Sequence, residues 1–184
     1  MVYKIIKITD ISDETYADTY AALHPTRREY IERLKVEKMR RCSLAGEFLA
    51  KEILKESYNV SLPIIKRNEN GKPYTECGIN ISISHCDDFV VCVADENEIG
   101  IDMEKIKPVS DALIKRVCTE EEMKYVYEPV SREIVISRFF EVWTAKEAYF
   151  KKEGTGITDF KSVNILNLNR EIINFEDFII QIVK

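Results

Sequence analysis

The sequence predicts an α+β fold built as two similar lobes in one chain, residues 1–98 and 99–184. Three observations predict it. Short alternating or β-rich runs at Val2–Ile8, Ile79–Ser84, Phe89–Ala94 and Ile99–Met103 read as strands. Long stretches of strong helix formers, about 26–57 and 132–153, stand between or after them. The order strand, helices, strands then occurs twice, turning over near Ile99. No literal repeat is visible, so the duplication rests on element order alone.

The first strand is followed by a polar connection, Thr9–Asp13, and a short helix over 14–23. Pro25 punctuates the chain, and Thr26 has the side chain to cap the helical stretch after it. Within that stretch Leu44, Phe48, Leu49 and Leu54 gather on one side, and Ser43 and Gly46 allow close packing or a ligand near the backbone. The run Asn68-Glu69-Asn70-Gly71-Lys72-Pro73 is a turn, with Asn-Gly its strongest signal. Asp87-Asp88 joins the two strands at 79–84 and 89–94. Pro108 ends the strand that begins at Ile99, and helix follows over about 110–127 with an interruption near Thr119-Glu120. Pro129 separates this region from the long helix over 132–153, which stops at Gly154 and Gly156. Two last strands are expected at Lys161–Leu166 and Phe178–Val183.

Composition sets the class. The chain has 184 residues, 45% of them hydrophobic and 32% charged, which is ordinary for a globular protein with one core or two small ones. No apolar run approaches the roughly 20 residues of a membrane span, and Met1–Glu14 lacks the features of a secretory signal. A cytoplasmic location is the default expectation. Cys42, Cys77, Cys86, Cys92 and Cys118 are scattered with no C-x-x-C pair, so reduced packing thiols are expected rather than disulfides or zinc. The net charge of −5 argues against nucleic acid as a partner. Seven bases against three acids between Arg27 and Arg41 make a local excess of positive charge. It suits either a solvated helix face or a ligand rich in phosphate.

Three segments carry candidate chemistry. Ile83-Ser84-His85-Cys86 puts one of two histidines at a strand end. In Gly100-Ile101-Asp102-Met103-Glu104, strand alternation points Asp102 and Glu104 to one face and Met103 to the other. Two carboxylates on one face repel unless they are solvated or share a cation. In Phe139–Gly156 helical spacing gives an apolar stripe of Phe139, Trp143 and Phe150, and puts Glu147 one turn from Lys151. Taken alone, that last pair reads first as a helical ion pair. Lys146 projects about 100° around the helix from Glu147 and reads as structural or peripheral.

Together these segments resemble the 4'-phosphopantetheinyl transferases, in particular the Sfp-like group. The matching stretches are Gly71-Lys72-Pro73, Ile83–Cys86, Gly100–Glu104 and Trp143–Lys151, with Arg41-x-Ser43 and Ala45-Gly46 resembling the family's N-terminal helix signature. They occur in family order across about 40–157. The resemblance implies a pseudo-duplicated fold with its site at the lobe junction. It also implies transfer of the phosphopantetheine arm of coenzyme A to a serine of an apo acyl or peptidyl carrier protein, with release of adenosine 3',5'-bisphosphate.

By the same resemblance Asp102 and Glu104 are magnesium ligands, and Mg²⁺ suits carboxylates shared with phosphate oxygens. Glu147 is a third ligand, the base that deprotonates the incoming serine, or both, with the base role preferred. Lys151 faces the leaving phosphate. Ser84 and His85 match a phosphate-contacting strand end, and Arg41, Ser43, Lys72 and Pro73 match positions near the adenosine and its 3'-phosphate. A monomer is expected, with no nucleic acid and no membrane among its partners.

Two departures accompany the match. Ser82 and Cys86 flank Ile83–His85 where the family commonly has Asn and Ser. The family usually continues through a further strand of the second lobe, and no such strand is visible here, so the second lobe, 99–184, is expected to be short at its C-terminal end. Two readings from other classes compete: a non-catalytic module binding coenzyme A or a carrier protein, and an ordinary α+β domain whose charges are surface pairs. A pure binder has no chemical use for Glu147 and Lys151 beside Asp102 and Glu104.

Overall fold

The computed structural model describes residues 1–128 and 131–184, so the break expected at Pro129 lies outside the described residues. The chain divides into two compact units, Met1–Ile99 and Gly100–Lys184. Both are mixtures of helix and sheet, each with its own buried apolar core.

In the first unit, strand β1 (Val2–Lys7) runs into a 3-10 turn and helix α1 (Asp13–Ala21), capped by Ser12 Oγ, which accepts from the Thr15 amide. Helix α2 (Pro25–Arg33) opens on the proline itself. The rigid ring suits the first helical position. His24 therefore takes the cap position and Thr26, expected there, falls inside the first turn with its Oγ1 2.8 Å from His24 Nδ1. The single long helix expected to about residue 57 is broken at 34–36, and α3 (Glu37–Tyr58) carries the rest. Its inner face holds Leu44, Ala45, Leu49, Ala50, Ile53 and Leu54.

A small hairpin, β2 (Ile65–Arg67) and β3 (Pro73–Thr75), follows, closed by the predicted turn. Asn68 Oδ1 accepts the Asn70 and Lys72 amides there, and Gly71 supplies a φ of 82°. Strands β4 (Asn80–Cys86) and β5 (Phe89–Asp95) complete an antiparallel sheet ordered β1-β5-β4, with α3 packed on it.

The second unit repeats this plan. Strand β6 (Gly100–Lys105) leads to helices α4 (Asp111–Val117) and α5 (Glu120–Tyr127), then to α6 (Arg132–Glu153). Ser110 caps α4, and Thr119 with Glu122 forms a capping box on α5, which explains the predicted interruption. The strand expected at 161–166 is instead two 3-10 turns, because Asp159 and Asn164 bend the chain by accepting the amides of Lys161 and Leu166. The real strand is β7 (Arg170–Phe175), paired with β8 (Phe178–Val183) in an antiparallel sheet ordered β6-β8-β7. The second sheet thus has three strands in the same order as the first.

The correspondence reaches individual residues. Helices α3 and α6 are both 22 residues long and end on a left-handed cap, Asn59 at φ 56° and Gly154 at φ 68°. Counted back from those caps, Ala50-Lys51-Glu52 and Ala145-Lys146-Glu147 occupy the same positions, so a short literal repeat does exist. The hairpin turns correspond too, with Asp87 and Glu176 both at φ 52°. Ile8 donates its amide to the Asp88 carbonyl at 2.8 Å, as Ile106 does to that of Asp177 at 3.0 Å. Lys7 lies over the Phe89 ring as Lys105 lies over that of Phe178.

Candidate active site

The second unit gathers four of the predicted side chains. Gly100 opens β6 where the strand runs against α6. A Cβ there would sit 1.9 Å from the Ala148 carbonyl oxygen, so only glycine permits the approach. Two and four residues along, Asp102 and Glu104 share the strand face, while Met103 is buried in the core. Asp102 is only 4% exposed, and Lys151 on α6 reaches it, with Nζ 2.6 Å from Oδ1. Glu104 is half-buried, and the Trp143 indole N–H donates to its Oε1 at 3.3 Å. The indole is itself stacked on Phe160 with ring centroids 4.9 Å apart, so its donor is held in place.

Glu147 lies one turn before Lys151, and its environment disfavours its charge. Burial first, then the Asp102 carboxylate, then Glu104 push its carboxyl from 4.5 up to about 7, with Lys151 opposing. Glu104 is shifted upward as well, by burial and then by Asp102, against the Trp143 hydrogen bond and the charges of Lys107 and Lys151. A carboxyl poised near 7 exchanges a proton at neutral pH. Among the described residues no group of three or more His, Cys, Asp or Glu side chains is already drawn together to hold a metal ion. The donor chemistry nonetheless fits a hard cation: the Asp102 carboxylate raises the proton affinity of both Glu104 and Glu147, and all three side chains offer oxygen.

This environment has a measurable consequence for stability. An unfolded Glu147 loses its proton near 4.5 and the folded one only near 7, so the stabilising difference is complete below pH 4.5 and is lost as pH rises through 7. Melting without metal is expected to show a fall of up to about 3 kcal/mol across that window, with Glu147→Gln removing that part of the slope. Equal slopes in the two proteins would show an ordinary Glu147.

Lys146, next along α6, is structural and not peripheral. It is fully buried, as is its partner Glu122 on α5, at 2.6 Å. Lys146 Nζ also donates to the carbonyls of Val117 and Phe160, at 3.0 and 2.7 Å. Glu122 accepts the amides of Thr119 and Ile165, at 2.7 and 2.8 Å. One ion pair thus ties together the end of α4, the start of α5, α6 and both 3-10 turns. Sequence reasoning missed Glu122. The repeated Ala-Lys-Glu was the available signal, because Lys51, the counterpart of Lys146, likewise donates to a carbonyl at a helix end, Ala22, at 2.8 Å.

The remaining predicted residues lie in the first unit. Ser84 is buried on β4 opposite Val91, and His85 is exposed opposite Val90. Lys72 is bonded to Glu98 at 2.5 Å, and Pro73 begins β3. Arg41 on α3 meets Asp13 at 2.7 Å and lies over the Tyr16 ring. Ser43 accepts from Arg27 Nη2 at 2.6 Å. Arg27 belongs to a network absent from the sequence reading, in which buried Glu47 takes both Arg27 Nε and Arg67 Nη2 on one oxygen, at 2.9 and 2.7 Å. The basic stretch 27–41 is largely tied down: Lys38 pairs with Asp88, Arg40 with Glu37, and Arg28 donates to the Ala21 carbonyl. Of the cysteines, Cys42, Cys92 and Cys118 are buried, Cys86 is half-buried and Cys77 exposed, all as free thiols. No helix among the described residues is long and apolar enough to cross a membrane.

Two family models divide the chain between them. One described as 4'-phosphopantetheinyl transferase, N-terminal, matches residues 10–97, and one described as the 4'-phosphopantetheinyl transferase superfamily matches 98–181. The chain belongs to the 4'-phosphopantetheinyl transferase superfamily. Its relatives include 4'-phosphopantetheinyl transferase gsp of Aneurinibacillus migulanus, 33% identical over 62% of this chain and 49% of the relative. The psf-1 protein of Bacillus pumilus is 33% identical over 64% of this chain and 52% of its own. Sfp of Bacillus subtilis (strain 168) is 27% identical over 85% and 71%. The chain spans about half the length of the first two of these relatives.

Proposed function

We propose that this protein transfers the 4'-phosphopantetheine arm of coenzyme A to a serine hydroxyl of an apo acyl or peptidyl carrier protein, with Mg²⁺ as cofactor. The observation that carries the reading is Glu147, a half-buried carboxyl raised to about 7 one helical turn from Lys151. The names of the relatives point the same way.

In the proposed reaction the serine Oγ attacks the phosphorus that bears the pantetheine arm. Glu147 takes the hydroxyl proton as the new O–P bond forms. The bond from that phosphorus to the bridging oxygen breaks, and adenosine 3',5'-bisphosphate leaves with the electron pair. Lys151 neutralises charge growing on that oxygen. Asp102, Glu104 and Glu147 would hold the Mg²⁺, which supplies charge neutralisation to the pyrophosphate when bound. Trp143 keeps the Glu104 carboxylate turned toward its position. In the first unit, Ser84 and His85 are assigned to phosphate, and Arg41, Ser43, Lys72 and Pro73 to the nucleotide end of coenzyme A.

The test is the intact mass of an apo carrier protein after incubation with coenzyme A, Mg²⁺ and this protein. A gain of one phosphopantetheine group, abolished by chelator, is expected. No gain across acyl and peptidyl carriers, with coenzyme A still bound, would leave the binding-module reading.

A further inference from the structure

The strand-to-helix ion pair exists in both units with its charges exchanged. In the first unit Lys4 of β1 meets Glu56 of α3 at 2.5 Å. In the second, Asp102 of β6 meets Lys151 of α6 at 2.6 Å. The positions are equivalent by strand register and by distance from the helix caps. Their surroundings differ. Where the first unit has Ile6 two residues along the strand, the second has Glu104. Lys4–Glu56 is an exposed pair with Glu52, the counterpart of Glu147, bonded to Glu56, whereas Lys151 is set among three carboxylates, Glu104 being the one added, and neutralises Asp102 directly.

We propose that Lys151 holds the place of a divalent cation on Asp102, and that arrival of the cation drives the ammonium off this carboxylate and toward the phosphates of the substrate. The proposal rests on the reading above that a hard cation sits on Asp102, Glu104 and Glu147.

Three features support an exchange. Both cations seek the same buried carboxylate, and a dipositive ion outbids a single ammonium there, because attraction scales with charge. The partners differ in freedom: the Asp102 side chain is 6% exposed and fixed in a paired strand, whereas that of Lys151 is 32% exposed on a flexible four-carbon stem. Lys151 is therefore the group that moves. Finally, one lysine then serves both states, satisfying Asp102 before the metal is bound and meeting phosphate afterwards. Such an exchange makes the lysine available to phosphate only when the metal site is filled.

The test is the affinity for Mn²⁺ alone, without coenzyme A, read by electron paramagnetic resonance of the free ion. Lys151→Met and Lys151→Gln are expected to bind Mn²⁺ roughly tenfold more tightly than the wild type. Lys152→Met removes the same charge from a side chain that donates to the Lys184 carbonyl instead. It is expected to stay within about twofold of the wild type. Unchanged or weaker binding by the Lys151 variants overturns the exchange, as does an equal gain from Lys152→Met. Absence of Mn²⁺ binding in every protein removes the metal reading itself, and the exchange with it.

A second measurement uses the wild type. The side-chain ¹³Cε–¹⁵Nζ resonance of Lys151 is expected to move to the position of a solvated lysine as Mg²⁺ is added. A resonance that stays put while Mg²⁺ binds overturns the exchange without recourse to a variant.

Discussion

Glu147→Gln is expected to slow phosphopantetheine transfer by roughly 10²–10⁴-fold while leaving the fold intact. The amide matches the carboxyl in shape but takes no proton from serine. The change also removes one of three mutually repelling acids, so the variant should melt no lower than the wild type at pH 8 without metal. That combination separates a lost base from a lost fold. Near-normal turnover would take the base role from Glu147 and leave it at most a metal ligand. A slow variant that also melts early would show that Glu147 is needed for structure.

The second large effect is expected one residue earlier. Lys146→Met should destabilise the second unit by about 3–5 kcal/mol, because it leaves Glu122 charged and fully buried without its partner. The loss also strips donors from the Val117 and Phe160 carbonyls. Lys51→Met, the equivalent change in the first unit, removes a single hydrogen bond from a lysine that is only half-buried. It should cost about 1 kcal/mol. Urea unfolding of both variants gives the comparison. A Lys146 variant within about 1 kcal/mol of the wild type would show that the buried pair is not what holds the turns to α6. These two results together would give adjacent residues on one helix separable roles, Lys146 in stability and Glu147 in the proposed chemistry.

Much of this was legible in the sequence, for identifiable reasons. The long helix over 132–153 was readable because Phe139, Trp143 and Phe150 mark its buried side and Gly154 ends it. Asp102 and Glu104 were readable because strand alternation assigns faces without any knowledge of partners. The stretch 161–166 was misread because its spaced apolar residues imitate a strand, while the side chains of Asp159 and Asn164 decide its shape. The Ala-Lys-Glu repeat escaped notice because its neighbours differ, Phe48-Leu49 in one helix and Trp143-Thr144 in the other. Pairings such as Lys146 with Glu122, or Glu47 with Arg27 and Arg67, leave no periodic trace, because each joins elements distant in sequence. The pressure on the Glu147 carboxyl likewise needs the burial and the neighbours that only the folded chain supplies.

The sheet order bears on how the protein is made. In each unit the middle strand is the last to be synthesised, β5 between β1 and β4, and β8 between β6 and β7. A nascent chain can form α1, α3 and the first strand early, but β1 has no neighbour until Phe89–Asp95 has emerged. Its pairing closes almost the whole unit at once, a long-range step that slows folding. Each unit should therefore set on the ribosome as a single late event rather than strand by strand. A ribosome stalled just before β5, or just before β8, would hold a chain in which that unit's helices are formed and its three-stranded sheet is not.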